Sequence, residues 1–151
     1  MAAFTGQYEV KVDAKGRLRL PSDLLRQVDE NTRNQYVINK GLDNCLRLYP
    51  IAQWNAITEE LKNKLNYFNT QQREFLRFFY QAATQIELDG NDRILVPKRL
   101  MEATGIKDEA VVLAFGDVIE IWSSEVYYSS VKEPENFAQM ADEIWSKLKN
   151  Q

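Results

Sequence analysis

The chain has 151 residues, of which 44% are hydrophobic and 27% are charged, and its formal net charge is −3. This composition is typical of a globular protein, and the acidic balance argues against a monomer that coats nucleic acid nonspecifically. Histidine is absent and Cys45 is the only cysteine, which excludes an internal disulfide bond and argues against imidazole catalysis and ordinary transition-metal sites. No apolar run approaches the roughly 20 residues that span a membrane, so no membrane partner is expected.

The chain contains two copies of one short sequence unit. Residues 12–25 match residues 88–101 at a constant offset of 76 positions, and after a small gap 37–49 match 112–122. The matched pairs include Asp13 with Asp89, Arg17 with Arg93, Leu18 with Ile94, Pro21 with Pro97, Val37-Ile38 with Val112-Leu113, and Gly41 with Gly116. A unit this short gains a core by pairing with its copy, so we expect the two copies to pack together.

The first copy is predicted to form strand, turn, strand, short helix, strand, turn and strand. Alternating apolar residues indicate strands at 7–12, 17–20, 36–39 and 45–49. Asp13 and Gly16 are typical of the turn between the first two strands, and a helix is expected from Ser22 to Val28.

After Pro50 the spacing of apolar residues predicts two helices, with Phe75 and Phe78 assigned to the core. The second copy follows over about 84–125. A terminal helix is predicted after Pro134, and its apolar stripe is expected to dock on the body of the protein or on a neighbouring subunit. The predicted fold class is mainly β with flanking helices, or α+β.

The two hairpins differ in charge. Residues 11–26 carry five cationic and two acidic side chains, a net +3, whereas residues 87–102 carry three and four, a net −1. Strand alternation directs Lys11, Arg17 and Arg19 outward, with Lys15 at the turn. A two-stranded basic ribbon fits the major groove of DNA, where Arg reads guanine and Lys neutralises phosphate. The alternative is a solvated surface whose charges discourage edge pairing.

Asp13 and Asp89 allow two interpretations. As equivalent positions they could approach each other like a paired-carboxylate acid–base site. An Asp four residues before an Arg across a tight turn more simply caps the turn and pairs with that Arg. We predict the second arrangement and no catalytic residue. Cys45 is expected to be a buried small hydrophobe, and Leu95 is expected to point outward where the first copy has Arg19.

These motifs resemble the MraZ family of bacterial transcriptional regulators over about residues 4–125. In the first copy the resemblance rests on Phe4-Thr5-Gly6-Gln7-Tyr8, Asp13-Ala14-Lys15-Gly16-Arg17, Pro21, Cys45-Leu46-Arg47-Leu48-Tyr49-Pro50 and Trp54. In the second copy it rests on Asp89, Gly90, Arg93, Ile94, Pro97, Leu100, Gly116 and Ile119-Glu120-Ile121-Trp122.

The resemblance implies tandem swapped-hairpin β-barrel repeats of the SpoVT/AbrB, double-psi-like type, with a helical linker and a C-terminal helix. The corresponding division is 7–54 for the first domain, 55–82 for the connector, 83–126 for the second domain and 127–151 for the helical tail. The family further implies a ring homo-oligomer in the cytoplasm, associated with the nucleoid. Such a ring would bind short G-rich direct repeats of double-stranded DNA at the promoter of the division and cell-wall gene cluster.

The family's Asp-x-x-x-Arg signature falls on Asp13/Arg17 and on Asp89/Arg93. The predicted DNA-binding residues are Lys11, Asp13, Lys15, Arg17 and Arg19. Asp92 stands where the first copy has Gly16, and Glu87 and Leu95 replace cations, so Asp89 and Arg93 are assigned a mainly structural or oligomeric role. No enzyme activity, metal, cofactor or small-molecule substrate is predicted. The alternative function is a protein-interaction or assembly module that does not bind DNA.

Overall fold

The computed structural model describes residues 3–150, which form two β-sheets flanked by helices, as the predicted α+β class requires. The strands are β1 (Phe4–Lys11), β2 (Arg17–Arg19), β3 (Gln35–Lys40), β4 (Leu46–Pro50), β5 (Thr84–Glu87), β6 (Arg93–Leu95), β7 (Glu109–Gly116) and β8 (Val118–Ser123). The helices are α1 (Ser22–Leu25), α2 (Ile51–Lys64), α3 (Thr70–Ala82), α4 (Lys98–Thr104), α5 (Ser124–Ser130) and α6 (Phe137–Lys149), with a short 3-10 helix at Glu30–Thr32.

Both copies have the predicted order of strand, turn, strand, helix, strand, turn and strand. Pro21 and Pro97 immediately precede α1 and α4 and end the strands before them. Helix α1 ends at Leu25, three residues earlier than predicted, because the N–H groups of Gln27 and Val28 bond three residues back instead of continuing the α-helical pattern.

The strands of the two copies interleave. The larger sheet has the order β1-β7-β8-β4-β3-β5, so β1 of the first copy pairs with β7 of the second and β5 pairs with β3. The smaller sheet pairs β2 with β6. The prediction of a basic ribbon within the first copy was therefore wrong. Within residues 3–150, β1 and β2 are not paired along their length, and a single bridge between Val12 and Leu18 lies next to their turn, because each strand's main partner comes from the other copy.

The pairing follows an approximate two-fold symmetry. Leu18 faces Ile94 at the centre of the β2–β6 pair, and Arg47 faces Glu120 where β4 meets β8. The sequence match needs one correction in the third strands, because Ile38 and Val112, not Ile38 and Leu113, share the central core. The loop before each third strand differs in length, which displaces the match by one residue.

The core belongs to both copies. Buried side chains from each copy form one cluster that includes Leu18, Leu20, Leu24, Ile38, Leu48, Ile94, Val96, Leu100, Val112 and Ile121. Cys45 is buried on the opposite side of the large sheet, as predicted, and burial raises the pKa of its thiol to about 12. A thiol in this environment is a packing group.

Helices α2 and α3 cover one outer part of the large sheet. Trp54 packs edge-on against Tyr49 and stacks on Phe79, with ring centroids 5.2 and 5.4 Å apart. The prediction that Phe75 and Phe78 are core residues was wrong, since they are 47% and 62% exposed. Helix α3 meets the sheet along a single stripe, which leaves an aromatic surface open on its outer side.

Helix α6 stands apart from the core. None of its residues is buried, although its apolar side chains follow one stripe. The exposed members of the stripe are Phe137, Met140, Ile144, Trp145 and Leu148. The predicted terminal helix is therefore present, but its apolar stripe is not covered by the body of its own chain.

Candidate nucleic-acid interface

The turn between β1 and β2 is organised by the carboxylate of Asp13. Its Oδ1 accepts hydrogen bonds from the backbone N–H groups of Lys15 and Arg17, both at 2.9 Å, and its Oδ2 accepts one from Arg17 Nε at 2.7 Å. The turn-capping arrangement expected from the sequence is thus present. Nε is the guanidinium nitrogen engaged in this ion pair, so the two terminal amino groups of Arg17 are not used by Asp13.

The turn before β6 repeats this contact in the second copy. Asp89 Oδ1 accepts from the backbone N–H groups of Asn91 and Arg93 at 2.8 and 3.0 Å, and Oδ2 accepts from Arg93 Nε at 2.8 Å. Two turns that share only the aspartate and the arginine make the same three hydrogen bonds. The motif is therefore a structural unit that presents an arginine from a fixed turn.

The hydrogen bonds keep both aspartates ionised. The N–H of Arg17 is the main cause that lowers the pKa of Asp13, and the N–H of Arg93 has the same effect on Asp89. Each carboxylate is engaged by its own turn and not by the other aspartate. A carboxylate held in this state is poorly suited to act as a general acid, so the geometry favours the turn role over paired-carboxylate chemistry.

Each turn is also bonded to the strand that follows the other turn. Gly16 O accepts from the N–H of Val96 at 2.9 Å, and Asp92 O accepts from the N–H of Leu20 at 2.9 Å. Gly16 and Asp92 both have a left-handed backbone, with φ of 89° and 60°. Asp tolerates this conformation better than most residues, which explains how it replaces glycine in the second copy.

The outward face of the β2–β6 pair, here called the arginine ribbon, combines both copies. Arg19 lies directly opposite Arg93, and Arg17 lies opposite Leu95, which is 53% exposed as expected. Arg19 Nε donates to the carbonyl oxygen of Asn91 at 3.0 Å, which anchors this side chain to the second turn. Three arginine side chains therefore lie on one face of a narrow antiparallel pair, with Arg19 exposed and Arg17 and Arg93 half-buried.

Lys11 extends this surface on the neighbouring strand. It lines a groove of about 470 Å³ together with Arg17, Arg19 and Arg93. Glu109, which faces Lys11 across β1 and β7, and Asp108 also line the groove and moderate its positive charge. Four predicted residues, Lys11, Asp13, Arg17 and Arg19, are brought together here, whereas Lys15 lies at the far side of its turn.

Two further lysines were not singled out by the sequence. Lys98 and Lys107 line a groove of about 510 Å³ beside the first turn, and Lys15 borders the same groove. Lys98 was missed because the second hairpin was judged by the net charge of residues 87–102, which is −1 and does not show where each charge lies. Comparison of single positions across the two copies, which sets Lys98 against Ser22, is the signal that would have identified it.

Residues 3–150 contain no group of three or more potential metal-ligating side chains. None of the helices there is long and apolar enough to cross a membrane.

A family model described as "MraZ protein, putative antitoxin-like" matches residues 3–78 and again residues 79–146. A transcriptional regulator MraZ of Christiangramia forsetii is 36% identical over 146 residues, which cover 95% of this chain and 94% of the relative. Proteins of the same name from Bacteroides fragilis and Cytophaga hutchinsonii are 35% and 31% identical, over 95% and 100% of this chain and 92% and 100% of their own.

The fold and its paired turns thus define a class of two-copy β-rich proteins in which an Asp–Arg contact supports a surface ribbon. The chain belongs to the MraZ family, whose model covers nearly all of it in two repeats. The family name supports a role in transcription regulation and DNA binding, and the resemblance noted in the sequence is confirmed.

Proposed function

We propose that this chain is a non-enzymatic regulator that binds double-stranded DNA sequence-specifically through the arginine ribbon. The observation that carries the proposal is the placement of Arg17, Arg19 and Arg93 on one face of a two-stranded antiparallel pair, where Arg19 is exposed and the other two are half-buried. A ribbon of this width enters the major groove, where a guanidinium can donate two hydrogen bonds to guanine O6 and N7. Lys11 and Lys15 are assigned to phosphates, and Asp13 to organising the turn.

The second-copy motif has two roles in this proposal. Asp89 and Arg93 form the second turn, which anchors Arg19 through the carbonyl oxygen of Asn91. Arg93 also lies opposite Arg19 and lines the same groove. Arg93 therefore supports the arginine ribbon structurally and adds positive charge to it.

The finer parts of the proposal rest on the family. We propose that the interleaved strands are the swapped-hairpin barrel of the SpoVT/AbrB type, and that the target is a set of short G-rich direct repeats at the chain's own promoter in the division and cell-wall gene cluster. The expected location is the cytoplasm, in association with the nucleoid.

Self-association into a ring completes the proposal. Three or four cations on one ribbon make a weak binder, and several ribbons on successive repeats raise the effective concentration. The exposed stripe of α6 and the exposed aromatic residues Tyr67, Phe68, Phe75 and Phe78 near α3 support self-association, because both are large uncovered apolar surfaces on one chain. Two different surfaces that meet head to tail generate a ring when the rotation closes.

The same apolar surfaces favour the second candidate function, an assembly module whose basic ribbon binds an acidic protein. Binding of a labelled duplex carrying the chain's own upstream region, measured against salt, separates the two. A DNA regulator shows linear loss of log affinity with log salt concentration and tighter binding to repeated than to scrambled sites. Equal and weak binding to both duplexes would favour the assembly module.

A further inference from the structure

The approximate two-fold symmetry of the fold bears on how the chain is oriented on DNA. A DNA-binding surface with two equivalent ends would bind a site equally well in either direction, as symmetric dimers do on palindromes. The two ends of the arginine ribbon are built from equivalent positions of the two turns, yet they differ in charge. Lys15 and Gly16 stand at one end, and Asn91 and Asp92 stand at the other.

The first turn is seated against α4. A Cβ atom at Gly16 would lie 2.9 Å from Met101 Sδ and 3.1 Å from the carbonyl oxygen of Val96, so this close approach requires glycine. Lys15, beside Gly16, lines a groove together with Lys98, at the start of α4, and Lys107, just before β7. We call this set of three residues the lysine corner.

The lysine corner is exposed and carries a net positive charge, although Lys107 also lines a neighbouring groove with Asp108, Glu109 and Glu125. All three side chains are exposed, and none of them forms an ion pair with a carboxylate within the described part of the chain. Glu102 is the one carboxylate among the residues that line the groove. Three mobile ammonium groups around one groove suit a polyanion better than a single small ligand.

The opposite end has a balanced charge. Ser22 occupies the position equivalent to Lys98, and the groove that it lines has two cations, Lys11 and Arg19, and two carboxylates, Glu9 and Asp92. Arg33, which lies two residues before β3 as Lys107 lies two residues before β7, donates Nε and Nη2 to the carbonyl oxygen of Val28 at 3.2 and 2.9 Å. The equivalent cation is therefore held by its own loop.

We propose that Lys15, Lys98 and Lys107 bind DNA backbone phosphates on one flank of the site and thereby set a single orientation of the chain on its target. The proposal rests on DNA binding by the arginine ribbon, which it extends beyond the groove contacts. Phosphate contacts set register and orientation without reading bases. A uniform orientation is what a series of direct repeats requires, because every subunit must face the same way along the duplex.

Charge removal tests the phosphate contacts. The affinity of two variants for the upstream duplex would be measured at a series of salt concentrations. The variants are Lys98→Ser, which introduces the residue found at the other end, and Lys107→Gln. Lys132→Gln is the control, because it removes the same charge at an exposed site outside the corner. Each corner variant should reduce the salt slope by about one and leave the preference over a scrambled duplex unchanged. Slopes equal to those of Lys132→Gln would overturn the proposal.

Hydroxyl-radical footprinting tests the orientation. The unmodified chain should protect the backbone further on one flank of a single site, and the double variant Lys98→Ser/Lys107→Gln should lose that extension only. A symmetric footprint of the unmodified chain would also overturn the proposal that the lysine corner sets the orientation on DNA. If the unmodified chain fails to bind the duplex at all, it is the proposed function that fails, so the two failures are distinct.

Discussion

Leu18 and Ile94 occupy the same position in the two sequence copies and lie directly opposite each other in the β2–β6 pair. Both are buried, at 1% and 0% exposure, so the approximate two-fold axis passes through the core immediately below the arginine ribbon. A change near this axis acts on both turns at once. The outward residues on either side, in contrast, are free to differ, and Arg19 and Leu95 do.

Arg17→Ala is expected to abolish specific DNA binding and to leave the fold intact. The backbone N–H of residue 17 would still donate to Asp13, so the turn survives while a bidentate base contact is lost, at a cost of about 1–3 kcal/mol per ribbon. Fluorescence anisotropy on the upstream duplex measures the loss. Retained binding by a folded Arg17→Ala chain would refute the assignment.

Arg93→Ala is the matched comparison, because it removes the same side chain from the equivalent turn. We expect a smaller loss of binding, since Asp92 and Glu87 lie near Arg93 in sequence whereas Lys11 and Lys15 lie near Arg17. Thermal unfolding and light scattering should accompany the titration. A loss equal to that of Arg17→Ala, with unchanged melting temperature and mass, would show that both arginines contact bases equally.

Leu95→Arg makes the ribbon symmetric, because it places a guanidinium where the other copy has Arg19. We expect a salt slope steeper by about one, with tighter binding at low salt. Leu95→Ala serves as the control that removes the apolar side chain without adding charge. Weaker binding and smaller assemblies in both variants would instead place Leu95 in a contact between subunits.

Ile144→Asp should reduce the size of the assembly. Ile144 is 52% exposed within the apolar stripe of α6, and a carboxylate buried in a subunit contact is strongly unfavourable. Ser146→Asp adds the same charge on the opposite face of the helix and should leave the mass unchanged. Multi-angle light scattering at micromolar concentration gives both masses, and an unchanged mass for Ile144→Asp would exclude the stripe from the interface.

Acid should weaken both turns. The pKa values of Asp13 and Asp89 are lowered in the folded protein, so their stabilising contribution is present above the unfolded pKa of about 4 and is lost as the pH falls through the folded values. Between pH 7 and pH 3, the melting temperature of the double variant Asp13→Asn/Asp89→Asn should therefore fall by less than that of the unmodified chain. Asp142→Asn, at an exposed position of α6, is the control. An equal loss in the double variant would contradict this linkage.

Much of the local structure was predictable because it is encoded within each copy. Alternation located the strands, and the Asp–Arg spacing identified both turns. Strand partners were not predictable, since β2 satisfies its backbone equally well with β1 or with β6, and the choice depends on the tertiary fold. The position of Arg93 opposite Arg19 follows from that choice, so the composition of the arginine ribbon was out of reach of the sequence.

The exposed aromatic residues of α3 show a different limit. Helical spacing identifies an apolar stripe but not how much of it a single chain covers. Leu76 is buried, whereas Phe78, two residues later, is 62% exposed. The apolar stripe on α6 was predicted from the same spacing, and its large side chains are exposed. The spacing of apolar residues does not specify which surface a stripe packs against.

The interleaved strands also determine when the protein can fold during its synthesis. When the ribosome has made only residues up to β4, strands β1 and β3 still lack their partners β7 and β5. Local turns can form at that stage, but the nascent first half has open sheet edges and half of a core. Productive folding must therefore wait until β7 has left the exit tunnel.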